Sequence, residues 1–168
     1  MNNPPQEEIL GIYNIQGESL NHTAPRGTVL KTGEYYLAAH VWIKNSSEAY
    51  LIQKRTESKD AWPGIWATTA GTIPAGEEPL SGAVRELEEE LGLIASPNEL
   101  RFIGQSLQNS YVTYIWLLER DVNAHEITMQ EEEVSAVIWA KEAVIRTMIA
   151  DGTFLDYGPE YLGHVFQA

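Results

Sequence analysis

The chain has 168 residues, the length of one ordinary domain, and carries 24 acidic against 11 basic residues, a formal net charge of -13. This charge repels nucleic acid backbones and anionic membranes, so neither is expected as a partner. The absence of cysteine excludes disulfides, thiolate metal sites and cysteine nucleophiles. Because there is no apolar signal-peptide core and no apolar run of ~20 residues, we expect a cytoplasmic protein.

The N-terminal extension, residues 1–34, is predicted to pack as a strand or hairpin on a single domain of residues 1–168. It begins with a polar tail at residues 1–6. A short strand is predicted at 9–15, and a polar segment with turn residues follows at 16–27.

The rest of the first half is predicted to be mainly strand. Runs of aromatic and β-branched residues at 35–43 and 49–55, with a short polar loop between them, predict a β-hairpin. A charged loop at 56–62 leads into a further strand at 65–72. Strands outnumber helices and the helices come late, which is typical of an α+β fold with helices on a mixed sheet. The remaining predicted elements are a helix at 79–91, strands at 101–108, 111–119 and 136–140, and helices at 141–150 and 154–166.

The helix predicted at residues 79–91 separates acidic from apolar side chains. Pro79 suits its first position and Gly92 the position just past its end. At about 100° per residue, three carboxylates share one face, whereas the apolar residues Leu80, Val84, Leu87 and Leu91 form another. A solvated acidic face is one interpretation. The other is a metal site, because a divalent cation relieves the repulsion among crowded carboxylates. The three carboxylates are those of Glu86, Glu89 and Glu90.

The spacing of residues 71–93 favours the metal site. Gly71 is followed after five residues by Glu77, and after seven more by Arg85-Glu86-Leu87, Glu88, Glu89-Glu90, Leu91, Gly92 and Leu93. This segment resembles the Nudix box, G-x5-E-x7-R-E-U-x-E-E-x-G-U with U aliphatic, and matches it at every fixed position.

The resemblance implies a Nudix-type α/β/α sandwich and an Mg²⁺-dependent hydrolase, with Mn²⁺ as the alternative metal. Its substrate would be a small-molecule diphosphate, such as a nucleoside diphosphate derivative, and a homodimer is an expectation for this family. Arg85 would orient the carboxylates, and Glu77 would pair with Arg85 or bind metal through water. The implied catalytic residues are Glu86, Arg85, Glu89 and Glu90, and the implied metal contacts are Glu86, Glu89, Glu90, the carbonyl of Gly71 and Glu77.

The segment before the box resembles the branch that includes type I isopentenyl diphosphate isomerase. In that enzyme, residues matching Arg55 and Lys59 hold the substrate diphosphate, which would supply the positive field that the net charge lacks; a solvated loop is the alternative. Trp62 is expected to line a base or lipid pocket, or else to pack in the core. The isomerase cysteine is missing, and Ala70 stands near its position. A hydrolase is therefore preferred, with an isomerase or a non-catalytic nucleotide sensor as alternatives.

Two further groups of residues are judged from the sequence. Relatives often take an additional glutamate, as metal ligand or base, from a loop after the box; Glu131, Glu132 and Glu133 are the candidates, and the sequence does not choose among them. The histidines show no metal spacing, so packing or surface positions are predicted for all of them. They are His22, His40, His125 and His164.

Overall fold

The computed structural model describes residues 8–168, so the tail predicted at residues 1–6 lies outside the described residues. The longest described helix has 13 residues, and none of the described helices has the length and apolar character needed to cross a membrane. In chain order the elements are β1 (Ile9–Tyr13), β2 (Ser19–Pro25), β3 (Tyr36–Lys44), β4 (Ala49–Arg55), β5 (Trp66–Ala67), β6 (Thr69–Thr72), α1 (Pro79–Leu91), β7 (Leu100–Gln108), β8 (Tyr111–Glu119), β9 (Val134–Lys141), α2 (Glu142–Ala150) and α3 (Pro159–Phe166).

A mixed sheet of seven strands is built around β3. Strand β8 runs parallel to β3 along its whole length, and β7 pairs antiparallel with β8. On the other edge, β3 pairs first with β6 and then, near its end, with β4. Strand β4 pairs in turn with β5 and β9. The prediction of a single strand at 65–72 is therefore wrong. This segment breaks at Thr68 into β5, which pairs with β4, and β6, which pairs with β3.

Helices cover both faces of this sheet. Along β3, alternate residues from Leu37 to Ile43 pack with Leu87 of α1 in one apolar cluster. On the opposite face, Trp42 packs with Ile145 of α2 and with residues of α3 in a second cluster. The predicted α+β fold, an α/β/α sandwich around a mixed sheet, is confirmed.

Helix α1 begins and ends at the predicted residues. Its first position is Pro79, and Gly92 follows its end with φ 66° and ψ 14°, a left-handed conformation that favours glycine. The N–H groups of Gly92 and Leu93 donate to the carbonyls of Glu88 and Leu87 at 2.9 and 3.1 Å, which closes the helix with two hydrogen bonds. The α1 core face is centred on Leu87 and Leu91, whereas Leu80 and Val84 are only partly buried against it.

A separate two-stranded hairpin, β1–β2, precedes the sheet. Its residues Leu10 and Ile12 pack with Tyr36 in a small apolar cluster, and Tyr13 forms a bridge with Tyr35. A hairpin was one of the alternatives predicted for residues 1–34, but the segment that forms β2 was predicted as turns, because its polar side chains are mostly exposed and lack the alternation of a half-buried strand. At the other end, the helix predicted at 154–166 is shorter and starts only at Pro159.

Candidate active site

The carboxylate of Glu86 lies directly against the backbone of Gly71, where α1 packs against β6. A Cβ atom on residue 71 would overlap this carboxylate, so the close approach requires glycine. Glu86 is buried. Its burial raises its pKa, and the charge and hydrogen bond of Arg85 offset this only in part.

Arg85 ties together the glutamates at this end of the helix. Its Nε and Nη2 atoms each donate to Glu77 at 2.9 Å, and its Nη1 atom donates to Glu86 at 2.6 Å and Glu89 at 2.8 Å. A further hydrogen bond from Nη2 reaches the carbonyl of Thr72 at 3.1 Å. The hydrogen bonds to Glu77 are the largest influence that raises the pKa of Arg85 above its ordinary value. Arg85 therefore remains charged and fixes the orientation of these carboxylates.

Glu90 is the second buried carboxylate of α1. Its Oε2 atom accepts hydrogen bonds from Gln53 Nε2 at 2.8 Å and from the Ala70 N–H at 3.2 Å. Burial raises the pKa of Glu90 to about 8, and no ion pair to it occurs among the described residues. Gln53 was not predicted as a site residue, although its position two residues after the core residue Leu51 places this polar side chain on the same face of β4.

The chemistry of this set fits a hard divalent cation. Glu86, Glu89 and Glu90 offer carboxylate oxygens from neighbouring positions of α1, and two of them are buried with raised pKa values that a cation would offset. Arg85 Nη1 donates to both Glu86 and Glu89, and no cluster of three potential ligands forms among the described residues. Both oxygens of Glu77 accept hydrogen bonds from Arg85, which is the pairing that was one of the two alternatives predicted for Glu77; its role as a metal contact stays a prediction.

A cavity of about 370 Å³ lies beside these carboxylates. Ala70, Gly71 and Thr72 of β6 form one of its walls, and the floor includes His40 of β3 and Thr113 of β8. Because Ala70 and Gly71 also contact the carboxylates of α1, β6 is the wall that the cavity and the acidic site share.

An arginine that was not predicted as a site residue follows the N-terminal hairpin. Arg26, just after β2, lines the cavity, and its Nη1 atom donates to Glu8 at 2.9 Å. The other carboxylate oxygen of Glu8 accepts a hydrogen bond from Thr72 at 2.7 Å. Glu8 therefore links Arg26 to β6. No sequence signal for Arg26 existed, since the segment around it was predicted as turns.

The three predicted substrate-binding residues are placed differently from one another. Arg55 and Trp62 line the cavity, and Arg55 Nε donates to the Ala61 carbonyl at 3.0 Å. Trp62 is 58% exposed and has φ 56°. Lys59 is not part of the cavity wall, because its ammonium forms an ion pair with Glu133.

The acidic turn after the box docks on the C-terminal end of α1. The N–H of Gln130 donates to the Glu90 carbonyl at 3.0 Å, and the charge of Glu133 contributes to the raised pKa of Glu90. Glu131 and Glu132 are exposed. Of the three candidate glutamates, Glu133 is the one whose charge acts on the site.

Comparison with known proteins identifies the family of the chain. A family model of the NUDIX domain matches residues 34–155. The chain belongs to the Nudix family. It is 31% identical over 148 residues to an uncharacterized Nudix hydrolase of Listeria monocytogenes, an alignment that covers 87% of each protein. It is also 32% identical over 167 residues to Nudix hydrolase 3 of Arabidopsis thaliana, which covers 90% of this chain but only 22% of that plant protein.

Solved structures show the same Nudix fold. A crystal structure of a protein from Deinococcus radiodurans has a TM-score of 0.74 at 20% identity and covers 88% of this chain and 91% of its own. An Ap4A hydrolase from C. elegans has a TM-score of 0.52 at 16% identity, covering 77% and 92%. The predicted family is thus confirmed, and the Nudix box runs from β6 to the end of α1. The resemblance of the preceding segment to the isomerase branch stays a prediction.

Proposed function

We propose that this Nudix domain hydrolyses a phosphoanhydride bond in a small-molecule diphosphate, namely a nucleoside diphosphate derivative, with Mg²⁺ or Mn²⁺. One observation carries the proposal: two buried carboxylates, Glu86 and Glu90, touch the same strand that walls the cavity. The names of the relatives, which are Nudix hydrolases, point to the same class of enzyme.

The metal would be held by Glu86, Glu89 and Glu90, with the carbonyl of Gly71 as a further oxygen beside them. Bound Mg²⁺ supplies charge neutralisation for the diphosphate and lowers the pKa of coordinated water. The burial of Glu86 and Glu90 supports this assignment, because a cation would compensate the cost of burying both negative charges. The chain has no cysteine, so no thiolate is present that would favour a softer metal over Mg²⁺ or Mn²⁺.

The protein residues orient and charge-balance the reacting groups. Arg85 holds Glu86 and Glu89 by charge-assisted hydrogen bonds, and Gln53 holds Glu90. Either Glu86 or Glu133 accepts the proton of the attacking water. Arg55 lines the cavity and provides local positive charge that a diphosphate needs on a protein of net charge -13, and Arg26, ion-paired with Glu8, lines the same cavity.

The test is a hydrolysis screen with Mg²⁺ over nucleoside diphosphate sugars, dinucleotides and nucleoside di- and triphosphates. Wild type is expected to hydrolyse at least one of these, and Glu86→Gln to lower its kcat by about 10²-fold or more. Replacing the Glu86 carboxylate by an amide keeps the volume of the side chain. The melting temperature of Glu86→Gln without metal should therefore stay close to that of wild type.

Glu88→Gln is the matched control, because it removes the same charge from the same helix at an exposed position. Its turnover and its Mg²⁺-induced rise in melting temperature should equal those of wild type. Equal turnover in Glu86→Gln and Glu88→Gln would place the chemistry elsewhere in the molecule.

A further inference from the structure

The floor of the cavity carries a histidine whose tautomer is fixed by its neighbours. The Trp42 indole N–H can only donate, and it donates to the Tyr161 hydroxyl at 2.9 Å. Among the described residues the hydroxyl proton of Tyr161 has no acceptor other than His40 Nδ1, 2.8 Å away, so donation to Nδ1 is the arrangement that leaves this buried proton paired. His40 Nδ1 is then the acceptor, so the proton of the neutral imidazole resides on Nε2.

Two properties keep this arrangement in place. His40 is buried, and burial lowers its pKa to about 3, so the ring is uncharged under ordinary conditions. Burial also raises the pKa of Tyr161 well above its ordinary value, so its hydroxyl keeps the proton it donates. Among the described residues, Nε2 of His40 has no hydrogen-bond partner, and His40 lines the cavity. The floor thus offers one neutral N–H donor.

A second polar group stands beside it. Thr113 of β8 pairs with Ala38 in the parallel ladder, and Ala38 lies two residues before His40 on the same face of β3. Thr113 is 0% exposed and lines the cavity. Its hydroxyl has no hydrogen-bond partner within the part of the chain that the structure describes. Buried polar groups are nearly always paired, so an unpaired one at a cavity indicates a missing partner.

We propose that His40 and Thr113 are specificity-determining residues that bind a hydrogen-bond acceptor on the non-phosphate part of the substrate, and that Tyr161 is the positioning residue that holds the His40 tautomer. This inference rests on the proposed function, because it places the diphosphate at the carboxylates across β6. A tail of pure hydrocarbon would leave both polar groups buried and unpaired, whereas a nucleobase or sugar oxygen or nitrogen satisfies them.

The first experiment compares polar and hydrocarbon tails on a diphosphate. Wild type, Thr113→Val and His40→Leu are assayed with Mg²⁺ on ADP-ribose, UDP-glucose and geranyl diphosphate, together with the melting-temperature shift each compound causes. Wild-type kcat/KM for at least one nucleotide sugar should exceed that for geranyl diphosphate by about tenfold or more, and both variants should reduce this ratio. A ratio that is near one in wild type, or unchanged in both variants, overturns the proposal.

Controls separate this inference from the proposed function and from folding defects. Thr113→Val should melt at or above the wild-type temperature, because its hydroxyl has no partner to lose. His40→Gln keeps an N–H donor and should retain more of the preference than His40→Leu; if His40→Leu does not fold, Thr113→Val carries the test. If none of the three compounds is hydrolysed, the proposed function fails for them. The shifts in melting temperature then test the inference. A shift that is larger with nucleotide sugars than with geranyl diphosphate in wild type, and that is lost in the variants, supports it. The absence of such a difference overturns it.

The second experiment reads the tautomer of His40 directly. In ¹⁵N spectra of the ligand-free protein, with the His40 signals assigned by their absence in His40→Gln, wild type should show a single neutral form protonated at Nε2. Tyr161→Phe removes the donor to Nδ1 and should give a mixture of tautomers together with a raised KM for the preferred nucleotide sugar. An unchanged spectrum in Tyr161→Phe would refute the positioning role.

Discussion

Gly71→Ala tests whether the placement of the Glu86 carboxylate governs activity. An added Cβ would fall within the space of that carboxylate, far inside the 3.0 Å that real Cβ contacts essentially never breach. The obstacle is the end of a flexible side chain, and φ at Gly71 is not positive, so the backbone accepts alanine without strain. The carboxylate must then retreat by more than ~1 Å, a displacement that can cost on the order of 10²-fold in rate.

The stability change should be of similar or smaller size, since a 10²-fold rate loss corresponds to about 2.7 kcal/mol. The retreat weakens the hydrogen bond between Arg85 and Glu86, which is 2.6 Å long and partly buried. Its loss costs about 1–3 kcal/mol, as for other hydrogen bonds to charged groups. Alanine keeps the main-chain carbonyl of residue 71, so that oxygen remains available to a metal.

The assay is kcat on the best substrate with Mg²⁺, beside a thermal melt without metal. Gly163→Ala is the control: it lies within α3, a Cβ there meets nothing within 4 Å, and the helix should gain about 0.5–1 kcal/mol. Wild-type turnover in Gly71→Ala would refute the reasoning, since it would show that the carboxylate can move without consequence.

Two other predictions concern the cavity. Arg55→Ala should lower kcat/KM by an amount equivalent to about 1–3 kcal/mol of transition-state free energy. Lys59→Ala should have a smaller effect, because Lys59 is paired with Glu133 away from the cavity. A larger effect of Lys59→Ala than of Arg55→Ala in steady-state kinetics would contradict the assignment. For His40, the folded-state pKa of about 3 lies below the unfolded value of about 6.5, so the unfolded chain binds the proton first and stability falls as pH falls. Between pH 7.5 and 5 wild type should lose about 2 kcal/mol more than His40→Gln in urea unfolding, and parallel curves for the two proteins would argue against a buried neutral ring.

Most of the fold could be predicted because most elements have strong local signals. Helix α1 is bounded by Pro79 and Gly92, and β8 is a run of aromatic, aliphatic and β-branched residues from Tyr111 to Leu118. Strand β2 could not be predicted, because pairing with β1 rather than burial makes it a strand. The break at Thr68 depends on a tertiary contact, the 2.6 Å hydrogen bond from its hydroxyl to the Val41 carbonyl, and no local pattern encodes it.

The candidate site was predictable only where its residues follow one another on the helix. Arg85 and its neighbours occur at helical spacing, so their grouping could be read from the sequence. For His40 the prediction was packing or a surface position, and its burial agrees with packing. Its contact with Tyr161 at the cavity joins residues 121 positions apart in the chain, so the sequence pattern did not indicate it. Arg26 likewise reaches the cavity only through the pairing of β2 with β1.

The two ends of the chain give the molecule a modular organisation. The match to the family extends over residues 34–155, whereas the β1–β2 hairpin and α3 lie outside it. Yet Arg26 beside the hairpin lines the cavity, and Tyr161 of α3 holds the histidine on its floor. The acidic helix lies within the span that the family model matches, whereas the surroundings of the cavity come partly from residues outside that span. A substitution at Arg26 or Tyr161 would therefore change these surroundings and leave the acidic helix untouched.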